Sequence, residues 1–478
     1  MLLERFQLAR RPAGREFLFF KDEVWTFGDF CRAIEGERDR LAAAGVQGGT
    51  VVAVCGPYSP ASVVAAFAAA ELKAIVLPLT ELNDSVREER FRVAGVEVMA
   101  GVNEEGGRKK EKSWVEEREN RVKIETVRTK NREPRTRESD RVASRHPLIT
   151  QLTDAGRAGL ILFSSGTTGT PKAMLHDLVR LTEGYAVKSG PGPSTLAFLH
   201  YDHIGGLDIL FRALASGAPL VIPESRDPAE IARSIERHRI EVLPASPTFL
   251  NLLLLSGAVE RQDLSSLKII AYGSEPMPQS LLRRLGNAFP GVRLQQKFGT
   301  SETSAVRVVG RTPESLEMRV EDDRFAWKVI EGELWLKSPS RILGYLNADN
   351  STLGDDGWYR TGDLVEETGD GYFRIVGRMS DLINVGGEKV FPAEVENVLM
   401  EMPEIRECRA FGEPHPLTGQ VVAVEVVPAE ILTASELKKR IRTFCRDRLE
   451  SYRIPVKVYP VKRIETGDSF KKKRALDG

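Results

Sequence analysis

The sequence predicts an α/β protein built on parallel sheets covered by helices and divided into more than one domain. Three observations carry this. Between residues 15 and 80, strand-like and helix-like patterns alternate, as they do when parallel strands are joined by helical crossovers. A wholly apolar run, Gly159-Leu-Ile-Leu-Phe163, has the length and composition of a buried strand and breaks straight into glycines and hydroxyls. At 478 residues the chain is too long for one ordinary core, so two or three domains are expected.

Composition narrows the function classes. With 41% hydrophobic and 28% charged residues the chain reads as a soluble globular protein. Lys+Arg and Asp+Glu both number 68, which leaves no global charge to favour nucleic acid or an anionic membrane. Cys31, Cys55, Cys408 and Cys445 are scattered with no CxxC pair, which fits a reducing cytoplasmic setting and offers no zinc site. The N-terminus carries Arg and Glu where a signal peptide needs an apolar core. No run reaches the roughly eighteen apolar residues of a membrane span.

In chain order, 17–20 and 24–26 read as a strand pair around Lys21-Asp22, and 27–44 carries apolar residues at helical spacing. The strand 51–54, the Ala-rich helix 61–72 and the strand 74–78 complete a β-α-β pattern. Such a sheet fixes fold and not chemistry. From 103 to 146 charged residues dominate and no period of 2 or 3.6 persists, so a solvated, disordered excursion is expected there rather than a partner-binding arm. Its Arg and Lys lack interleaved aromatics, which argues against nucleic acid.

The apolar strand 159–163 ends in Ser164-Ser165-Gly166-Thr167-Thr168-Gly169-Thr170-Pro171-Lys172. Glycines free backbone N–H groups to turn towards an anion, the hydroxyls add donors, and Lys172 adds a point charge. A plain surface turn would have similar composition. It is not a Walker A loop, because Pro171 stands where that loop needs a glycine N–H. The string resembles the signature loop of the adenylate-forming superfamily, which includes acyl- and aryl-CoA synthetases, luciferases and the adenylation domains of peptide synthetases. The resemblance implies that this loop holds the β- and γ-phosphates of ATP.

Further segments continue the resemblance in order. A helix is expected over 178–187, a strand over 196–199, and then His200-Tyr-Asp-His203-Ile-Gly-Gly206 leads into a helix over 207–215. The segment is similar to the superfamily's His-x-x-Gly, which implies that His203 lines the pocket beside the carboxylate. A metal between His200 and His203 is the less favoured alternative, because no third ligand is near in sequence. Strands 218–222 and 242–247 flank a helix over 228–238. A strand over 267–272 ends in Gly273-Ser274-Glu275-Pro276, at the carboxyl end where open α/β sheets collect ligands. By resemblance this loop serves adenine and the floor of the acyl pocket. The strand 292–296 ends in Lys297-Phe298-Gly299-Thr300-Ser301-Glu302, which resembles Tyr-Gly-x-Thr-Glu. Phe298 can stack on a purine, Gly299 allows close approach, Thr300 falls among the pocket walls, Ser301 can donate to the α-phosphate, and Glu302 offers a hard oxygen to Mg2+. Gln296 stands where relatives carry Asn for the adenine amino group.

Beyond an alternating strand at 333–337 and Gly344-Tyr-Leu-Asn347, the string Gly357-Trp-Tyr-Arg-Thr-Gly-Asp363 matches Gly-Trp-x-x-Thr-Gly-Asp. Asp363 is thereby implied to accept the ribose hydroxyls, a task that suits a carboxylate's two acceptor oxygens. Arg378 matches the arginine of the ribose and phosphate region, and Ser380 falls on the hinge, where relatives have Asp or Lys. Gly386-Gly387-Glu388-Lys389 precedes a Pro-started helix, and the resemblance has that loop line the pantetheine tunnel. Near the end, Thr466-Gly-Asp-Ser-Phe-Lys-Lys-Lys-Arg474 aligns Lys471 as the catalytic lysine, with Lys472 as the alternate.

The resemblance thus implies a large N-terminal ATP- and acyl-binding domain of layered α/β sheets, 1–379, and a small mobile α+β lid, 380–478. It implies a two-step ligase that uses ATP and Mg2+ to make an acyl adenylate from a fatty or aryl acid and passes the acyl group to CoA. An acyl carrier protein as thiol acceptor, or a nucleotide-binding regulator without catalysis, are the alternatives. Amino-acid activation is disfavoured because Ile204 stands where an Asp would follow His203. The acid and the oligomeric state are not readable.

Overall fold

The computed structural model describes residues 1–80, 83–102, 122–127, 145–164, 171–188, 190–354 and 356–466. Two seven-stranded sheets form the body of the N-terminal region. The first runs in the order Arg293–Gln296, Ile269–Tyr272, Val242–Ala245, Thr195–Leu196, Leu220–Ile222, Glu16–Phe20 and Glu23–Thr26, parallel except for the terminal hairpin. The second orders Gly344–Tyr345, Ala173–Asp177, Gly159–Phe163, Ile75–Leu79, Val51–Cys55, Val98–Val102 and Val122–Thr126, with a parallel centre. The predicted parallel α/β architecture is therefore present.

Helices Phe27–Ala43, Pro60–Glu71 and Ile204–Ser216 lie between the two sheets. Their buried side chains share one core cluster with Leu18 and Ile222 of the first sheet and with Val52, Leu160 and Met174 of the second. The helix Pro60–Glu71 is buried almost all round, and its alanines let it pack between two sheets at once. Capping boxes at Thr26/Asp29 and Ser59/Ser62 start two of these helices, a device worth about 1 kcal/mol each. Helices Pro228–His238, Pro247–Leu255 and Gln279–Ala288 cover the outer face of the first sheet.

Several boundaries differ from expectation for local reasons. The helix expected over 178–187 ends at Glu183, at Gly184. The helix expected from 207 starts at Ile204 with His203 as its N-cap residue. The strand expected over 242–247 stops at Ala245, because Ser246 caps a helix that has Pro247 in its first turn. Within 103–146, expected to be a disordered excursion, Val122–Thr126 is an edge strand paired antiparallel to Val98–Val102. Its Val-Lys-Ile-Glu-Thr alternation was too short to show against the charged background, and Arg40 Nη2 donates to Val122 O at 2.7 Å to hold it to the first long helix. The remainder of that stretch lies outside the described residues.

A six-stranded antiparallel sheet follows, ordered Val308–Gly310, Met318–Val320, Tyr372–Arg378, Trp358–Gly369, Glu333–Lys337 and Ala326–Ile330. Strands from Ile383 onward form a separate sheet with its own core around Val395, Cys408, Val424 and Leu437. This region touches the rest where Asn251 Nδ2 donates to Arg406 O at 3.2 Å. It also touches at Gly377, where an added Cβ would stand 2.5 Å from the Phe391 ring.

Candidate active site

The strand Gly159–Phe163 is buried at every position and delivers the chain to Ser164. Ser164 N donates to Lys172 O and Lys172 N donates to Ser164 Oγ, both at 2.9 Å. The two legs of the phosphate-loop candidate are thus tied at its base. Ser165, Gly166, Thr167, Thr168 and Gly169 lie outside the described residues. Asn347 clamps the outgoing leg: its Nδ2 donates to Pro171 O at 3.0 Å, and its Oδ1 accepts from Ala173 N at 2.8 Å.

Tyr345, two residues before that clamp, joins groups that are far apart in the chain. Its hydroxyl donates to Glu302 Oε1 at 2.9 Å. Lys172 Nζ lies 5.1 Å from the centre of its ring. Burial, and next the Glu302 carboxylate, raise the Tyr345 phenol, and the same two causes raise Tyr359 beside it. Both phenols therefore stay protonated at neutral pH and serve as donors. The backbone of Glu302 is fixed as well, since its carbonyl accepts from Ile342 N at 2.9 Å.

Glu302 sits in the turn of a two-stranded ribbon, Phe298–Thr300 with Ser304–Val306. Gly299 has φ +152°, and a Cβ there would stand 2.3 Å from Ser304 O, so only glycine lets the ribbon close. The Thr300 hydroxyl is buried against Thr303, accepting from its N at 3.1 Å, and half-buried Ser301 follows. Phe298, expected to show its face to a purine, is 8% exposed and packs edge-on to Phe373 at 6.3 Å, so in this structure its ring is a core contact.

The Gly273 loop abuts the same ribbon. Tyr272 and Gln296 are register partners, and Lys297 N donates to Tyr272 O at 2.7 Å. A Cβ on Gly273 would stand 2.7 Å from Lys297 O. Ser274 takes φ +75°, a conformation uncommon outside glycine. Glu275 is held by Thr248, whose hydroxyl donates to it at 2.9 Å. Gln296 Oε1 is buried and has no hydrogen-bond partner among the described residues. A buried orphan acceptor at the edge of a glycine-lined loop suits an exocyclic amino group.

Asp363 and Arg378 face each other across paired strands, with Arg378 Nε donating to Asp363 Oδ1 at 2.8 Å. Burial raises the Asp363 carboxyl above its ordinary value, and the guanidinium opposes that rise. Glu302 lies near enough to act electrostatically on both. Of the oxygens expected to meet a diol, one is thus engaged by the arginine expected to act beside it.

His203 is 34% exposed at the start of its helix, with Nε2 3.8 Å from Asp202 Oδ1. Asp202 Oδ2 accepts from Thr80 N at 3.1 Å and from the Thr80 hydroxyl, which also contacts His200 Nδ1. Thr80 thus takes up one oxygen of Asp202 and one nitrogen of His200, and among the described residues no group of three or more His, Cys, Asp or Glu gathers around His200 and His203 to hold a metal. Gly386 and Gly387 take φ +62° and +98° in a turn of the C-terminal sheet, where Gly386 N donates to Thr418 O at 2.8 Å and Gly387 N to Asn384 Oδ1 at 2.9 Å. Lys471 and Lys472 lie outside the described residues. Sequence reading missed roles for Tyr345, Tyr359, Asn347, Thr248 and Thr80; only the Gly344-Tyr-Leu-Asn347 string gave a local signal for two of them.

Residues 5–346 match the AMP-binding enzyme family, and residues 394–471 match the AMP-binding enzyme C-terminal domain. The chain is 26% identical over 492 residues to 2-succinylbenzoate–CoA ligase of Bacillus subtilis strain 168, covering 98% of this chain and 95% of that protein. It is 31% identical over 324 residues to 4-coumarate–CoA ligase-like 6 of Oryza sativa subsp. japonica (58% of this chain, 54% of that one). It is also 31% identical over 324 residues to 2-succinylbenzoate–CoA ligase of Bacillus velezensis (63% and 64%). The match to these two relatives therefore spans only 54% and 64% of their lengths. Among solved structures, o-succinylbenzoate CoA synthetase of Bacillus subtilis with its acyl-adenylate intermediate superposes with TM-score 0.75 at 24% identity, covering 98% of this chain and 96% of that one. An anthranilate CoA ligase with anthranoyl-AMP gives TM-score 0.79 at 20% identity, covering 98% and 95%. These two likenesses show a shared fold.

Proposed function

Because the chain belongs to the AMP-binding enzyme family, we propose that it is an ATP-dependent acid–thiol ligase that forms an aryl-CoA through an aryl adenylate. In the first step a carboxylate oxygen attacks the α-phosphorus of ATP, a P–O bond forms, and pyrophosphate leaves with the electrons of the broken P–O bond. In the second, a thiolate attacks the acyl carbon and AMP departs. The first step is difficult because two anions must meet and charge grows on the phosphoryl oxygens.

The observation that carries this reading is the convergence of Lys172 and Glu302 on the ring and hydroxyl of Tyr345. One cationic and one anionic group, drawn to a single buried tyrosine, suit a triphosphate and its cation. Lys172 and the loop from Ser164 would hold the departing pyrophosphate. Gln296, with its orphan Oε1, would take the adenine amino group, and Asp363 with Arg378 the ribose. His203 would stand beside the carboxylate, and Lys471 would bridge carboxylate and α-phosphate, with Lys472 as the alternate.

Glu302 would hold Mg2+, which when bound neutralises phosphate charge. Among the described residues no group of three or more His, Cys, Asp or Glu gathers as a metal cage. That fits Mg2+, which binds through one or two carboxylates with phosphates and waters completing its shell. The region from Ser380 would act as a lid that reorients between steps, bringing either Lys471 or Gly386-Gly387 to the site.

An aryl acid is preferred to a fatty acid because relatives carry names such as 4-coumarate–CoA ligase-like and indoleacetate–CoA ligase. CoA is preferred to a carrier protein on the same ground. The test is ATP–pyrophosphate exchange across a panel of aryl and fatty acids, followed by AMP release with and without CoA. Exchange with an aryl acid and CoA-dependent release are expected. Release only with a carrier protein would replace the acceptor, and ATP binding without exchange would make the protein a regulator.

A further inference from the structure

We propose that Tyr345 is a positioning residue that sets both the cation-binding and the phosphate-binding group of the site, through Glu302 and Lys172 respectively. This rests on the ligase reading above and adds a residue to it.

Tyr345 is suited to the task by its own anchoring. It is 3% exposed within the large inter-sheet core. Its backbone N donates to Asn350 Oδ1 at 2.7 Å, and it pairs with Met174, two residues beyond Lys172. The residue is therefore attached to the strand that emerges from the phosphate loop and cannot move independently of it. From that fixed point the hydroxyl reaches Glu302 Oε1 at 2.9 Å, and a hydrogen bond to one oxygen fixes the plane in which a carboxylate presents the other. The ring face, 5.1 Å from Lys172 Nζ, attracts the ammonium and confines a side chain that otherwise has many rotamers. A purely structural tyrosine would need some acceptor for its buried hydroxyl, but nothing would require that acceptor to be Glu302 or the ring face to meet Lys172.

The test compares the full chain with Tyr345→Phe, Glu302→Gln and their combination, using Mn2+ as the probe metal and α,β-methylene-ATP as an inert nucleotide. Free Mn2+ is read by electron paramagnetic resonance, nucleotide binding without metal is read by calorimetry, and melting temperatures report folding. Tyr345→Phe is expected to weaken Mn2+ binding to the nucleotide complex about tenfold, as loss of an outer hydrogen bond to a metal ligand does. Metal-free nucleotide affinity is expected to stay unchanged, because the ring remains beneath Lys172. In the Glu302→Gln background the same substitution is expected to add nothing. Undiminished Mn2+ affinity in Tyr345→Phe, or losses that multiply in the double variant, would overturn the assignment. Tyr345→Leu, which also removes the ring, is expected to weaken metal-free nucleotide binding as Lys172→Ala does, and unchanged binding would overturn the Lys172 half. If the unaltered protein binds no Mn2+–nucleotide complex, the ligase reading itself fails and this proposal falls with it.

Discussion

Replacing His176 should make the protein less sensitive to acid, and the size of the effect follows from its surroundings. His176 lies on the strand Ala173–Asp177, four residues past Lys172, and is 1% exposed. Neither ring nitrogen has a hydrogen-bond partner among the described residues. Burial lowers its pKa from 6.5 to about 4, because a charged imidazolium there would lose its hydration with nothing in exchange. The unfolded chain therefore binds this proton more readily than the folded one. Stability is whole above pH 6.5, falls as pH drops through 6.5, and has lost its full share, about 3 kcal/mol, below about 4. At pH 5 the loss is about 2 kcal/mol.

His176→Leu keeps a similar volume and has no proton to gain. It should be more stable than the parent by about 1–2 kcal/mol at pH 8, where only the unpartnered polar atoms differ. The gap should widen by about 2 kcal/mol at pH 5. Because the chain has more than one core, the difference is best read locally, from hydrogen exchange of amides in Gly159–Phe163 and Ala173–Asp177, corrected for the intrinsic pH dependence. A gap that stays constant from pH 8 to pH 5 would refute the reasoning and mean that His176 has a partner. Since this strand ties down Lys172, nucleotide affinity in the parent should fall over the same pH window more steeply than in the variant.

Three further outcomes are expected. Lys471→Ala should lower adenylate formation about 10²–10³-fold while leaving thioester formation from preformed adenylate largely intact; unaffected pyrophosphate exchange would move the role to Lys472 or elsewhere. Gly299→Ala should cost stability by about 1–3 kcal/mol, because its Cβ meets a backbone oxygen at 2.3 Å in a φ of +152°. Exchange should drop further than stability alone explains, since the ribbon carrying Glu302 must shift, and wild-type exchange with a lowered melting temperature would contradict this. Ser380→Pro, in the 3-10 turn Met379–Asp381, should slow one half-reaction more than the other in stopped-flow assays, whereas equal slowing would argue against a pivot there.

Much of the fold was legible because its signals are local. The run Gly159-Leu-Ile-Leu-Phe163 could only be a buried segment, and it is a fully buried strand. Errors arose where a local pattern was ambiguous. Val242 to Pro247 read as continuous strand, yet Pro247 is a better helix start once Ser246 can cap it. The alternation of Val122–Thr126 was drowned in charge, and only its partner strand makes it a strand.

By itself the sequence determined the sheet-and-helix alternation, the glycine-rich strand ends and the order of the motif segments, because each is written in neighbouring residues. Only the tertiary structure decided that Tyr345 would meet both Lys172 and Glu302, that Asp363 would already hold Arg378, and that Gln296 would keep a buried acceptor without a partner among the described residues. Such relations depend on gaps of about 3–5 Å between side chains far apart in the chain. Those gaps are fixed by how whole sheets and helices pack rather than by any pattern along the backbone.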